Sequence, residues 1–209
     1  MSIPAVLSIA GSDSSGGAGI EADLKTIMAD ELYGEVAITS VTAQNTLGVQ
    51  GSFELPAEFV AQQIQSVYDD IRPDAVKIGM TGSAALIEAI AEELKKVDAR
   101  NIVIDPVMVA TSGARLLPED SVRTLIEKLL PIADIVTPNM DEAGVLADMD
   151  VRTKDDMETA ARIIQEKTDH AFILVKGGHL PDSSDDVLCT EHGRMVWMDG
   201  PKFKTENTH

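Results

Sequence analysis

LSIAGSDSSGGAGIEADLKT, residues 7–26, runs from an apolar segment through a loop of Gly, Ser and Asp into apolar residues at helical spacing. A strand, a polar loop and a helix in that order form the repeating half of a parallel sheet with crossover helices. The pattern recurs along most of the chain. Short β-branched runs are AVLSIA (5–10), VAITSV (36–41), AVKIG (75–79), NIVID (101–105), DIVT (134–137) and AFILVK (171–176). Between them, one helical face collects Ile20, Leu24, Ile27, Met28 and Leu32, and a second collects Val60, Ile64, Val67 and Ile71. Two more collect Leu86, Ile90, Leu94 and Val97, and then Val122, Leu125, Ile126 and Leu129. Pro56 and Pro118 stand where first helical turns begin, and Thr153 precedes KDDMETAARIIQEK, with acids early and Lys167 late. After Lys176 two apolar runs flank a His-Gly turn in DVLCTEHGRMVWMDG, the mark of a hairpin. No repeat, linker or low-complexity tract divides residues 1–209, so the reading is one α/β domain.

Composition narrows the function. Apolar residues make up 44% of the 209, enough to fill a core. Lys and Arg total 17 against 35 Asp and Glu, and the net charge of -18 repels nucleic acid and anionic lipid. No apolar run reaches the length of a membrane span, and the N-terminus lacks a basic region before a short apolar stretch, so a cytoplasmic protein is expected. The single cysteine, Cys189, excludes an internal disulfide and reads as a core residue.

Ligands of open α/β sheets sit at the carboxyl ends of the strands. The segments at those ends are GSDSSGGAG, TAQN, GMTG, DPVM, TPNMDE and KGGH, all polar or Gly-rich where the apolar runs stop. Residues 17–22 fit G-x-G-x-x-A, the dinucleotide pattern, yet six residues from Gly11 to Gly16 separate Gly17 from the expected strand end at Ala10. Gln44 and Asn45 stand where the ribose-binding acid belongs, and no G-x-x-x-x-G-K-[ST] motif is present. The loop therefore reads as the wall of a small-molecule site, with helix N–H groups near Gly19 available to the ligand.

Six ordered motifs, AGSDSSGGAGIEADLKT, TSVTAQNTLGV, VKIGM, DPVMVATSG, TPNMDEA and VKGGH, resemble the hydroxymethylpyrimidine and hydroxymethylpyrimidine-phosphate kinases of thiamine biosynthesis, members of the ribokinase-like superfamily. The resemblance covers essentially the whole chain. It implies a three-layer α/β/α sandwich with a mostly parallel sheet, ATP with Mg²⁺, phosphoryl transfer to the hydroxymethyl group and then to the product's phosphate, and a homodimer or higher oligomer.

The same resemblance places Gly11, Asp23 and Met80 at the substrate, with Val107 in the pocket wall. Gln44 suits the pyrimidine on chemical grounds, because an amide presents a donor and an acceptor that match an exocyclic amine beside a ring nitrogen. Asn139 and Glu142, three apart at a helix start, resemble the superfamily's Asn-x-x-Glu element and are expected to face together toward a hydrated Mg²⁺. Asp105 is expected to hold metal-bound water or position the reacting groups; as a turn acid before Pro106 it has an ordinary alternative. Lys176 is expected beside the triphosphate, with Gly178 in the same nucleotide-binding loop. His179 reads as a loop residue near the nucleotide, and His170 and His192 as surface.

In the resembled family an Asn-Thr-His like Asn207, Thr208 and His209 continues into Gly-Thr-Gly-Cys or Gly-Thr-Gly-Asp, the anion hole and catalytic base. The resemblance thus puts the base just after His209, and on that comparison no catalytic base is named among residues 1–209. The expectation is a fragment, lacking the C-terminal helices, that binds the pyrimidine but phosphorylates it hardly at all. Competing readings are a pyridoxal kinase of the same superfamily and a non-catalytic pyrimidine-binding protein.

Overall fold

The structure, a computed structural model, describes residues 3–108 and 119–202. Pro118, residues 109–113 of the DPVMVATSG motif, and Asn207, Thr208 and His209 lie outside the described residues. Among the described residues nine strands form one sheet: β1 (Ala5–Asp13), β2 (Tyr33–Asn45), β3 (Gly48–Glu54), β4 (Ala75–Ile78), β5 (Ile102–Ile104), β6 (Ile135–Val136), β7 (Phe172–Val175), β8 (Asp186–Cys189) and β9 (Met195–Met198). Their spatial order is β3-β2-β1-β4-β5-β6-β7-β8-β9. The strands from β2 to β7 pair in parallel, and β3, β8 and β9 are antiparallel additions at the two edges.

Residue alternation along the strands decides what each face packs against. One row across the sheet is Ile9–Ile78–Ile104–Val136–Ile173–Cys189, each at most 1% exposed. That row shares a core with α2 (Ala57–Asp70), α3 (Ala84–Lys96) and α6 (Lys154–Gln165) through Val60, Ile64, Leu86, Ile90, Ala160 and Ile164. The neighbouring row on the opposite face is Ser8–Lys77–Val103–Ile135–Phe172, and there α1 (Gly19–Ala29) covers β1 and β2. Helical layers thus flank a mostly parallel sheet, as the motif resemblance implies.

Local signals start and stop the helices where the sequence places them. Thr153 caps α6 in a reciprocal box with Asp156, and Ser83 caps α3. Pro56 is the cap of α2 and not its first residue. The face of Val122, Leu125, Ile126 and Leu129 is not one α-helix. Here α4 (Glu119–Thr124) passes into a π-helical turn, Leu125–Leu129, and a 3₁₀ turn, Leu130–Ile132. Pro131 has no N–H to continue an α-ladder, and the wider and tighter turns absorb its presence. The hairpin from β2 into β3 has no strong sequence signal, because GVQGSFE carries two glycines and is largely exposed at the sheet edge. Cys189 is buried, with its thiol against Gln165 Oε1 at 3.4 Å, as expected of a core residue. No helix among the described residues is long and apolar enough to cross a membrane.

Candidate active site

The parallel run from β2 to β7 brings the six polar segments to one sheet edge, since each follows the carboxyl end of its strand. The order of strands reverses between β1 and β4, where the chain winds one way to β2 and the other way to β5. Such a switch point opens a crevice at the carboxyl edge. Gly11, near the end of β1, and Met80, just past β4, meet there: a Cβ on Gly11 would lie 2.2 Å from the Met80 methyl.

The glycine-rich loop is held by an acid that sequence reasoning passed over. Asp13 Oδ1 accepts from the Ser15 N–H (2.9 Å) and hydroxyl (2.8 Å), and Oδ2 accepts from the N–H groups of Gly17 and Ala18, both at 2.9 Å. Burial by itself raises this carboxyl's pKa, but the donors at Ser15, Ala18 and Gly17 outweigh it and hold the group at about 2. Glu21, in the first turn of α1, accepts from the Ser12 hydroxyl and the Asp13 N–H, both at 2.7 Å. The expectation that N–H groups around Gly19 are open to a ligand is therefore corrected for Gly17 and Ala18, which bond within the loop. Gly19 itself has φ +58, and a Cβ there would lie 2.2 Å from the Gly11 carbonyl oxygen. That approach clamps the start of α1 onto the floor of the switch-point crevice.

Around the crevice the sequence-predicted substrate residues fall as follows. The Thr39 hydroxyl donates to the Met80 carbonyl at 2.7 Å and fixes the backbone of that wall. Gln44 is half-buried near the end of β2, tied to the glycine loop because Ser14 Oγ donates to its carbonyl at 2.7 Å. Its Oε1 also accepts from Thr42 Oγ1 at 3.3 Å. Asp23 is not a solvated carboxylate: Lys77 Nζ lies 2.9 Å away and the buried Ser8 hydroxyl donates to it at 2.6 Å. Val107 is half-buried one strand further on, its N–H donating to the Asp105 carbonyl at 2.8 Å.

The residues expected on the nucleotide side assemble across β5, β6 and β7. Lys176 Nζ donates to Asp105 Oδ1 at 2.8 Å, and Thr137 Oγ1 reaches the same oxygen at 3.3 Å. Asn139 and Glu142, expected to face together, each engage the other's backbone. They cap each other at the start of α5 (Met140–Ala147): Asn139 Oδ1 accepts from the Glu142 N–H at 2.9 Å, and Glu142 Oε2 from the Asn139 N–H at 2.8 Å. Glu142 is 6% exposed. Burial pushes its carboxyl above the ordinary value and Asp105 adds to this, against the lowering influence of the Asn139 and Met108 N–H groups and of Lys176.

Gly178 borders open space, whereas the N–H of Gly177 is taken by Asp186 Oδ1 at 2.8 Å. His179 is exposed, 3.9 Å from the exposed Asp141. Among the described residues no three His, Cys, Asp or Glu side chains converge as a metal cage. An ion at this end would need oxygens from the nucleotide itself, which is how Mg²⁺ is commonly held. The base expected just after His209 has no counterpart in this geometry, because His209 lies outside the described residues. Among the described residues no side chain is assigned that role.

A flanked, mostly parallel sheet with a switch point between β1 and β4 and a lysine–carboxylate corner further along is the architecture of the ribokinase-like kinases the chain resembles. The chain superposes on the crystal structure of a phosphomethylpyrimidine kinase from Clostridium difficile 630 with a TM-score of 0.87 at 42% identity, covering 95% of this chain and 85% of that one. A pyridoxal kinase from Staphylococcus aureus in complex with ADP gives a TM-score of 0.88 at 34% identity, over 98% of this chain and 74% of that one. Residues 13–209 match the phosphomethylpyrimidine kinase family, and the chain belongs to that family. It is 43% identical to the hydroxymethylpyrimidine/phosphomethylpyrimidine kinase of Bacillus subtilis (strain 168), over 100% of this chain and 77% of the relative. It is 46% identical to a chloroplastic thiamine biosynthetic bifunctional enzyme of Arabidopsis thaliana, over 99% of this chain and 40% of that enzyme's length.

Proposed function

We propose that this chain provides the kinase site that phosphorylates 4-amino-5-hydroxymethyl-2-methylpyrimidine and its monophosphate from ATP, in thiamine biosynthesis. The observation that carries this reading is the match to a hydroxymethylpyrimidine/phosphomethylpyrimidine kinase at 43% identity over the entire chain, both halves of the candidate site included. In this reading Gln44 reads the amine and ring nitrogen, Gly11, Met80 and Val107 line the ring's pocket, and Asp23 accepts from a donor of the substrate. Asn139, Lys176 and Gly178 serve the nucleotide, with the Lys176 ammonium drawing the triphosphate toward the reaction centre. Asp105 and Glu142 are the carboxylates we assign to Mg²⁺. Burial is what chiefly raises the Glu142 pKa, with a smaller addition from Asp105, and a cation near the two carboxylates would offset that cost. Bound with ATP, the ion neutralises charge on the phosphates. The same reading makes the protein a cytoplasmic homodimer acting on small molecules and not on nucleic acid or membranes.

The test is a calorimetric titration with the aminopyrimidine and, separately, with pyridoxal. Loss of a two-bond amide contact costs about 2 kcal/mol, so Gln44→Leu should weaken aminopyrimidine binding roughly thirtyfold. Tighter binding of pyridoxal, with indifference to Gln44→Leu, would overturn the pyrimidine assignment in favour of the activity named for the Staphylococcus aureus neighbour.

A further inference from the structure

A lysine is out of place in the middle of a parallel sheet. The row Ser8–Lys77–Val103–Ile135–Phe172 is apolar from Val103 onward, and an ammonium set into it loses hydration that must be replaced. Among the described residues, Lys77 meets that need through the carboxylate of Asp23, at 2.9 and 3.1 Å to its two oxygens. The side chains of Lys77 and Asp23 are 29% and 19% exposed, withdrawn from water yet reachable from the crevice. Ser8, the direct cross-strand neighbour of Lys77, is fully buried and donates to Asp23 Oδ2 at 2.6 Å. Two donors from adjacent strands therefore hold one carboxylate that arrives from α1.

The pair sits directly beneath the crevice. A Cβ on Gly79 would lie 2.9 Å from Lys77 Nζ and 3.2 Å from the Ala10 Cβ. Gly79 and Ala10 immediately precede Met80 and Gly11, the two residues that touch across the switch point. The missing side chain at Gly79 is the space the lysine head occupies. We propose that Lys77 is a positioning residue of the pyrimidine pocket, whose ammonium, with the Ser8 hydroxyl, orients the Asp23 carboxylate to accept from a donor group of the bound heterocycle. This rests on the reading of Asp23 as a substrate-binding residue.

The experiment is a double-mutant cycle read in calorimetric affinity for 4-amino-5-hydroxymethyl-2-methylpyrimidine, with thermal melting of each variant alongside. Asp23→Asn and Lys77→Met should each weaken binding roughly tenfold, the scale of one hydrogen bond to a charged group. The double variant should bind no more weakly than Asp23→Asn, because Lys77 acts through that carboxylate. Its melting temperature should recover relative to Lys77→Met, since no buried charge is left unpaired. A merely structural ion pair would restore stability and affinity together; a positioning pair restores stability alone.

If Asp23→Asn binds normally, the reading of Asp23 fails. If Asp23→Asn weakens binding while Lys77→Met does not, or if the two losses add, the inference about Lys77 is overturned. Should Lys77→Met not fold, Ser8→Ala decides: weaker binding at unchanged melting temperature supports the positioning role, and unchanged binding overturns it.

Discussion

Glu35 offers a test of the packing argument that is independent of the active site. It lies in β2 beside Leu7, in the row Glu35–Leu7–Val76–Ile102, so its carboxyl ends an otherwise apolar row of the core face. It is 8% exposed, and its Oε2 is buried without a hydrogen-bond partner among the described residues. Acting on it is the charge of Asp74, and near it is Tyr68 of α2, whose hydroxyl is likewise unpartnered among the described residues and which feels Arg72 and Asp98 in turn. Burial first, and then the negative charge of Asp74, push the Glu35 pKa from 4.5 up to about 7. Between those values the folded chain keeps a proton that the unfolded chain has released. Stability therefore falls as pH rises from 4.5 to about 7 and is level above that, with a ceiling of about 3 kcal/mol. Glu35→Gln keeps the shape and removes the charge. Urea unfolding of parent and variant at steps from pH 4.5 to 8.5 should show the variant gaining on the parent with rising pH. By pH 8 that gain corresponds to roughly 6 to 12 °C in melting temperature for a chain of this size. The comparison cancels repulsion from the net charge, which both proteins share. A difference that stays constant with pH, or that shrinks as pH rises, would refute the assignment of a buried, unpaired carboxyl.

Two further variants address the glycine loop. Asp13 has the opposite shift, from 3.8 to about 2, so its contribution is present above pH 4 and is lost as pH falls from about 4 toward 2. Asp13→Asn should cost about 2 kcal/mol at pH 7, the cost disappearing at the acid end of a series of denaturation curves. Gly19→Ala should destabilise by about 3 kcal/mol, because it combines a left-handed backbone with a Cβ driven onto the Gly11 carbonyl. Gly51→Ala, with nothing within 4 Å of the new methyl, is the control and should be close to neutral in the same melts.

The parallel core was legible because burial on both faces writes long β-branched runs, and six of the nine strands coincide with such runs. The β8–β9 hairpin was legible from its turn. The β2–β3 extension was not, since an exposed edge strand is under no demand for apolar alternation. Asp105 and Lys176 were singled out as two strand-end charges, which the sheet order then brings to 2.8 Å. Lys77 and Thr137 were missed because each acts on a partner from another element, whereas Asp13 bonds to Ser15, Gly17 and Ala18 in its own loop, a local signal that the sequence does carry. Lys77 and Asp23 are 54 residues apart, and only the β1–β4 register makes them neighbours. One signal was present in hindsight, the lysine interrupting AVKIG in a run that otherwise reads as buried strand.

The polarity of the sheet edge also assigns its two ends. A helix N-terminus ordinarily attracts anions through its open N–H groups. At α1 that attraction is opposed by two carboxylates, Asp13 on the N–H groups of Gly17 and Ala18 and Glu21 on the Asp13 N–H. Lys25, the nearby cation, is turned onto the Gly16 carbonyl at 2.6 Å. An uncharged, hydrogen-bonding ring can dock against such a surface, whereas a triphosphate would meet two acids. From β1 the edge runs across β4, β5 and β6 to Lys176 and the open backbone of Gly178, four strand spacings or roughly 19 Å away. In the proposed reading that span takes a nucleotide laid along the edge. On that reading the carboxylates near β1 and the ammonium past β7 favour one orientation, with the heterocycle at the switch point and the phosphates arriving from the β7 side toward Met80, Asp105 and Val107.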